Sequence, residues 1–472
     1  MRIKLGHSYT SEELAKEVGA LPPAQSALVE HLATDSREVQ AGDLFVCLRG
    51  EHYDGHNYLS EARKRGAALF LCESTPGVSA ECAIVVKDTE GALTMLAGAV
   101  RKRINPTVIA VTGSVGKTTT KDMIAAVLET QYPTHKTEGN HNNLLGLSLT
   151  LLAMPRGTRF LVVELGMNHA REIARLAQIA EPDIAVITNV GHAHIGHLGS
   201  REAIAQAKLE ILEGCAPGTI YFYPADEPLL VPARKAPLLA FPIAQTPGRD
   251  NAFFDVQLEE EFTRFSLDFR RWRYEGMRVR GVGRHIAACA AFAVCIGDLM
   301  GIADDKIEKA LLSYDKSTMR QHIFSVGSIT VIEDCYNASP ESMAAALAAL
   351  CHISEKKCGR PIALLGGMKE LGEHSKELHH VLGRLCAEHA LAFLFPFGEE
   401  SEEIACGARE GGMAKESIIS NPDASDPRRS ADAIAAQLQE GDVLLIKASR
   451  ALAAERVSAA LVEVLKERGG RK

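Results

Sequence analysis

The stretch VIAVTGSVGKTTTKDMI sets Gly113, Ser114, Val115, Gly116, Lys117 and Thr118 between a buried-type apolar run and a helical pattern. Glycines at such a turn let backbone N–H groups close around phosphate oxygens, and the helix N-terminus adds its positive end. Lys117 is placed to reach the outer phosphates of a nucleotide, and Thr118, with Thr119 beside it, offers a hydroxyl to Mg²⁺. The longer GxxxxGK[ST] pattern would put its first glycine at Val111, where it is missing. A strand before and a helix after are the context that separates a phosphate loop from a chance glycine-rich turn.

A nucleotide site also needs metal ligands. The next two apolar runs end in Glu164, within VVELGMNHA, and in ITNVGHAHIGH, which carries His192, His194 and His197. Both fall at C-terminal strand ends, where α/β sheets bind their ligands. A single histidine there is more often structural, but beside Glu164 and the phosphate loop one of them becomes the better metal ligand. The helical run REAIAQAKLEIL follows with Lys208 and Glu210. A lysine on an amphipathic helix is ordinarily solvated, and nothing in its own context changes that.

The elements that must position these groups form an α/β protein of three domains, because 472 residues exceed what one core serves. A small α/β N-terminal domain is expected over 1–105, ending at RKRINP. A central parallel-sheet P-loop ATPase domain follows over 106–313, with an antiparallel excursion between about Asp250 and Arg280. A C-terminal Rossmann-like α/β domain fills 314–472, from strands such as ITVIEDCYN, PIALLGGM, LAFLFPFG and DVLLIKAS. There is no internal repeat. The net charge of -8 argues against a nucleic-acid partner, which needs a clustered basic surface. Eleven scattered cysteines without a CxxC pair fit reduced thiols and a cytoplasmic location. The start MRIKLGHSYTSEELAKEVGA is charged where a signal peptide is apolar, and the apolar stretch Ile286 to Ile296 is too short to span a bilayer, so no membrane insertion is expected.

TGSVGKTTTK, EGNHNNLLGLSLT, ELGMNHAREIA, ITNVGHAHIGHLGS, AKLEI, DCYNASPESM and KASR together resemble the Mur ligases, and among them the MurF type. The resemblance runs over nearly the whole chain, including TDSREVQAGDLFVCLRGEHYDGHNYL, which is similar to a uridine-diphosphate-binding segment. It implies an ATP-dependent amide ligase that joins D-alanyl-D-alanine to UDP-N-acetylmuramoyl-tripeptide through an acyl phosphate. It implies ATP and two Mg²⁺ as cofactors, with Thr118, Glu164, His194 and a Lys208 carbamate made from CO₂ as metal ligands, and Lys117, Lys208 and His194 as catalytic groups. The ATP site would take the phosphate loop through Thr119, with His285, Arg320 and Asp334. Substrate contacts would come from Ser36, Arg49, Asn142, Asn143, Asn337, Lys447 and Arg450, with the chain acting as a monomer.

Some positions depart from the family pattern. GRHIAACAAFA has Ile286 and Cys289 where asparagines near adenine are usual, Ser339 replaces an asparagine, and Ala448 replaces the glycine of KGSR. Rival readings are a MurE-type ligase, a folylpolyglutamate synthase, or a non-catalytic nucleotide-binding regulator. The complete first domain weighs against the folate enzyme and the missing DNPR motif against the MurE type. The intact Lys117, Glu164, His194 and Lys208 weigh against the regulator. A GTPase switch is poorer still, since no NKxD motif follows the phosphate loop.

Overall fold

The computed structural model describes residues 1–50, 52–235, 238–314, 319–421 and 425–469. Residues 315–318 and 470–472, which the sequence reading assigns to the third domain, lie outside the described residues.

The first sheet runs in chain order through β1 (Arg2–Thr10), β2 (Leu28–Ala33), β3 (Leu44–Val46), β4 (Leu69–Cys72) and β5 (Ala83–Val85). β1 is antiparallel to β2 and the rest are parallel. β3 and β4 are buried at every residue, as uninterrupted apolar runs require. The helix Thr89–Ile104 then starts on the Asp88 cap and stops at Asn105 in the left-handed region. Its Arg101 is buried and donates to the carbonyls of Ala180 (3.0 Å) and Glu181 (2.8 Å). The basic run at the first boundary therefore also ties the first sheet to the next one.

The second sheet holds β6 (Thr107–Thr112), β7 (Thr134–Lys136), β8 (Phe160–Glu164), β9 (Ile184–Ile187), β10 (Ile220–Pro224) and β11 (Leu239–Ile243). All pairs are parallel, in the order β11-β10-β9-β6-β8-β7. β6 lies between β8 and β9, so the order reverses there and the loops leaving these three strands open on one crevice. The helix Lys117–Glu129 packs on the alanine-rich helix Arg284–Leu299 through Met123, Ile124, Val127, Ala287, Ala290 and Val294. Small side chains on the second helix let the two axes approach closely. β12 (Asn251–Leu258), β13 (Phe262–Phe269) and β14 (Trp272–Arg280) form the antiparallel excursion, with Phe265, Leu267 and Tyr274 buried on one face.

The last sheet contains β15 (His322–Val326), β16 (Ile329–Glu333), β17 (Pro361–Gly366), β18 (Phe393–Phe397) and β19 (Val443–Lys447), ordered β15-β16-β19-β17-β18. Only the hairpin β15–β16 is antiparallel. The segments leaving β16, β19 and β17 face the crevice of the second sheet. Ser339 caps the helix Pro340–Lys356, with its side chain and that of Ser342 satisfying each other's backbone N–H. Serine in place of an asparagine is thus explained as a helix cap. Among the described residues no helix is long and apolar enough to cross a membrane.

Candidate active site

The phosphate loop is shaped by its glycines and by the chain leaving β9. Gly113 has φ +151°, and a Cβ there would lie 1.9 Å from Thr188 Oγ1. Gly116 caps the helix Lys117–Glu129 at φ +83°. Asn189, which the sequence reading missed, holds the loop: its Oδ1 accepts from the N–H groups of Ser114 (3.1 Å) and Val115 (2.9 Å), and its Nδ2 donates to Val115 O (3.0 Å). Thr188 Oγ1 donates to Val115 O at 2.6 Å, and Gly191 N–H donates to Ser114 Oγ at 2.8 Å. The signal for both residues was available, a polar TN pair directly after an apolar strand. Lys117 Nζ donates to Gly113 O (2.7 Å) and Ser114 O (3.3 Å). Burial lowers its pKa, with Arg320 adding and Glu164 and Glu370 opposing.

Thr118 and Glu164 are brought together. Thr118 Oγ1 donates to Glu164 Oε2 at 2.7 Å, and Asn142 Nδ2 donates to Glu164 Oε1 at 2.8 Å, with Thr118 and Glu164 buried. Asn143 goes elsewhere: its Oδ1 accepts from Gly146 N–H at 2.9 Å and caps the helix Leu144–Leu152. His194 lines the same crevice, and its Nδ1 lies 2.5 Å from Glu370 Oε2 of the third domain. His192 pairs instead with Glu341, through N (2.8 Å) and Nδ1 (2.6 Å), and His197 rests against the His169 ring at 5.1 Å. A hydroxyl, a carboxylate and an imidazole at one end of a phosphate loop are a donor set that fits Mg²⁺ together with phosphate oxygens and water. Lys208 is buried and makes no hydrogen bond through Nζ among the described residues, nor does it line the crevice. Burial puts its pKa well below the ordinary lysine value, the Lys117 charge lowers it further, and Glu341 opposes.

The crevice is a cavity of about 680 Å³ between the second sheet and the last one. Its floor includes the phosphate loop through Thr119, and Ile286, Cys289 and Phe292 give it an apolar wall beside His285. From the third domain come Arg320, lying over the Tyr336 ring at 4.0 Å, and Asp334, Asn337 and Lys447. Lys447 is buried, and its Nζ donates to Asp334 Oδ2 (2.6 Å) and Asn337 O (3.0 Å). A smaller cavity of about 230 Å³ adjoins it, sharing His194 and Asn337 and adding Glu370 and Arg450. Arg450 also donates to Glu455 Oε1 at 3.0 Å. Ala448 is accommodated because Gly366 lies opposite, where a Cβ would come within 2.6 Å of the Ala448 methyl. Ser36 and Arg49 do not line either cavity. Ser36 is buried in a short 3-10 turn, and Arg49 pairs with Glu73 Oε2 (2.9 Å) and Asp54 Oδ2 (3.3 Å).

A phosphate loop at the reversal point of a parallel sheet, facing cationic and acidic groups from a separate α/β domain, defines a nucleotide-binding protein whose site spans two domains. The descriptions of known families agree. The Mur ligase middle domain matches residues 111–297, the glutamate ligase domain of Mur ligases matches 319–450, and the Mur ligase family catalytic domain matches 28–132. The chain is 36% identical over 456 residues to the UDP-N-acetylmuramoyl-tripeptide--D-alanyl-D-alanine ligase of Bacillus subtilis, covering 96% of this chain and 97% of that one. The ligase of the same name from Synechocystis is 33% identical, with 90% of each covered. Among solved structures, MurF from Acinetobacter baumannii superposes with TM-score 0.87 at 29% identity, over 98% of this chain and 100% of that one. MurF from Thermotoga maritima in complex with ADP gives 0.81 at 30%, over 93% and 98%. The chain belongs to the Mur ligase family.

Proposed function

We propose that the chain uses ATP to join the amine of D-alanyl-D-alanine to the terminal carboxylate of UDP-N-acetylmuramoyl-tripeptide in peptidoglycan synthesis, releasing ADP and phosphate. The observation that carries this is the single cavity on which the phosphate loop, the Thr118–Glu164 pair and the Arg320, Asp334 and Lys447 group of the third domain converge. Relatives whose names state that reaction align over at least nine-tenths of this chain and of their own length, which supports the same reaction here. Structures of a diaminopimelate ligase and a folylpolyglutamate synthase share the fold at only 16% and 17% identity, which supports neither rival activity.

In this reading the first domain, 1–105, holds the UDP moiety with Ser36 and Arg49 in its segment, 106–313 holds ATP, and 314–472 brings the amine. The peptide carboxylate attacks the γ-phosphorus and ADP leaves, giving an acyl phosphate. The amine then adds to the acyl carbon and phosphate departs, with a proton released from the nitrogen. Attack of one anion on another needs cations in place before the reaction. Lys117 supplies one, and the N–H groups of Gly116 to Thr119 at the helix N-terminus add positive dipoles around the phosphates, while Arg320 and Asp334 approach the nucleotide from the other domain and His285 sits at the adenine side. Mg²⁺, held by Thr118, Glu164 and His194, would add Lewis-acid neutralisation of the phosphate oxygens.

Lys208 supports a carbamate on chemical grounds: an uncharged amine adds CO₂, and burial favours the uncharged form of this amine. Such a carbamate would be an anion near Lys117 and would offer oxygens to a second Mg²⁺. Asn142 steadies Glu164 and borders the peptide end of the cavity, while Asn337 and Arg450 border the smaller cavity, where the dipeptide carboxylate would meet Arg450. Eleven unpaired thiols accord with a reducing cytoplasm, and one chain lines the whole cavity, as a monomer requires.

The deciding assay follows ADP release from ATP and Mg²⁺ with the UDP-linked tripeptide, comparing D-alanyl-D-alanine, single amino acids and no amine. Turnover confined to the dipeptide is expected. Turnover with another amine would keep a ligase and discard this acceptor, and none with any amine would discard the ligase reading.

A further inference from the structure

Glu370 stands out among the residues that the sequence reading passed over, because it belongs to the third domain yet meets a side chain of the second. β17 ends at Gly366, and the segment GMKE carries the chain to Glu370 at φ +65°. His194, opposite, has φ +67°. Two side-chain-bearing residues in the left-handed region persist only where their surroundings over-determine them. Here each is held by the other's segment. Gly196 N–H donates to Glu370 O at 2.9 Å, and Glu370 Oε2 lies 2.5 Å from His194 Nδ1. The approach depends on two glycines: a Cβ at Gly196 would lie 2.5 Å from Gly372 N, and one at Gly372 would lie 2.8 Å from Gly196 Cα. The neighbouring Lys369 turns away to Glu399 (3.2 Å) and Glu400 (3.1 Å), which leaves the Glu370 carboxylate to the histidine.

We propose that Glu370 is a positioning residue that fixes His194 from across the domain junction. Its carboxylate takes the Nδ1 side of the ring, so Nε2 is the nitrogen that would be left to ligate the metal. A carboxylate behind a metal-ligating imidazole sets its orientation and raises its basicity. Since the carboxylate arrives with the third domain, the ring is oriented only in the closed arrangement, which couples closure to assembly of the metal site. Glu370 also lines the smaller cavity next to Arg450, so the same closure shapes the space assigned to the dipeptide. The inference rests on the reading of His194 as a metal ligand given above.

The test uses the full chain and variants H194A, E370Q, H194A/E370Q and G372A. Mn²⁺ binding in the presence of ADP is followed by electron paramagnetic resonance, beside kcat and KM for the ligation. H194A and E370Q are each expected to weaken Mn²⁺ about tenfold. The double variant should be no weaker than H194A, and kcat should fall while KM for ATP stays within about threefold. G372A, which forces the seam apart and leaves the carboxylate intact, should reproduce E370Q and serves if E370Q does not fold. Unchanged Mn²⁺ affinity in E370Q and G372A, with H194A weakened, overturns the proposal alone, as does a double variant whose loss is the product of the single ones. Unchanged affinity in H194A overturns the metal role of His194 and the proposal with it.

Discussion

Thr118 Oγ1 donates to Glu164 Oε2 across 2.7 Å, although 46 residues separate them in the chain. β6 and β8 are hydrogen-bonded neighbours, and this alone brings the first turn of the phosphate-loop helix against the end of the next strand. The carboxylate is buried, with its second oxygen engaged by Asn142. Glu164→Gln keeps the shape and removes the charge. We expect kcat to fall about 10²- to 10³-fold, the loss typical of removing one electrostatic group from a preorganised site, with the melting temperature little changed. Phosphate release and calorimetry check this, and a kcat within threefold of the parent would show that Glu164 is not a metal ligand.

Lys208 gives a pH dependence of stability with a definite sign. Its folded pKa is well below the ordinary lysine value, so between the two the unfolded chain binds one more proton. Stability therefore rises with pH across that window, by at most about 1.4 kcal/mol per pH unit, and is lost as pH falls towards the folded pKa. Lys208→Met removes this term. Urea midpoints of the two proteins, measured at equal bicarbonate, should differ most at neutral pH and converge as pH rises towards the ordinary lysine pKa, and parallel pH profiles would contradict a lowered pKa for the buried amine.

Activity gives a separate test of the carbamate on the same residue. Lys208→Ala should lose most of its turnover and regain part of it with added formate or acetate, which can enter the space and restore an anion. Unchanged activity in the alanine variant would remove the carbamate from the mechanism.

Ile286 and Cys289 give the nucleotide cavity an apolar wall at the two positions where the family resemblance leads to the expectation of asparagines. A site that makes hydrogen bonds to a substrate group rejects analogues by large factors, whereas an apolar wall discriminates by about 10- to 200-fold. The ratio of kcat/KM for ATP over inosine triphosphate should fall in that lower range. A ratio above about 10⁴ would mean that backbone groups or His285 read the base instead.

Lys447 is buried and bonded to Asp334 and the Asn337 carbonyl. Removing one partner of a buried pair strands the other, at a cost of about 3 kcal/mol. Lys447→Met should destabilise the chain by roughly that amount, and adding Asp334→Asn should restore part of it. Equal denaturation midpoints for parent and Lys447→Met would mean that the pair contributes nothing to the fold.

The chemistry of the phosphate loop, the run of alternating strands and helices and the antiparallel excursion at β12 to β14 were all legible in the linear order of residues. They depend on local periodicity and on glycine's tolerance of positive φ, which neighbouring residues decide. The same holds for Glu164 and His194 as candidates, because strand ends can be read from apolar runs. The partners of these residues could not be read. Asn143 turned out to cap a helix while the adjacent Asn142 reaches Glu164, and one position along a chain reverses which way a side chain faces. Ala448 looked like a defect until Gly366, from a strand 82 residues earlier by number, was found opposite it. Asn189 under the loop, Glu341 on His192 and Glu370 on His194 are all contacts between distant segments. Residue types and spacing determine which chemistry is available; the packing of two α/β domains across a crevice decides which donors meet, because burial and approach are properties of the assembled surfaces.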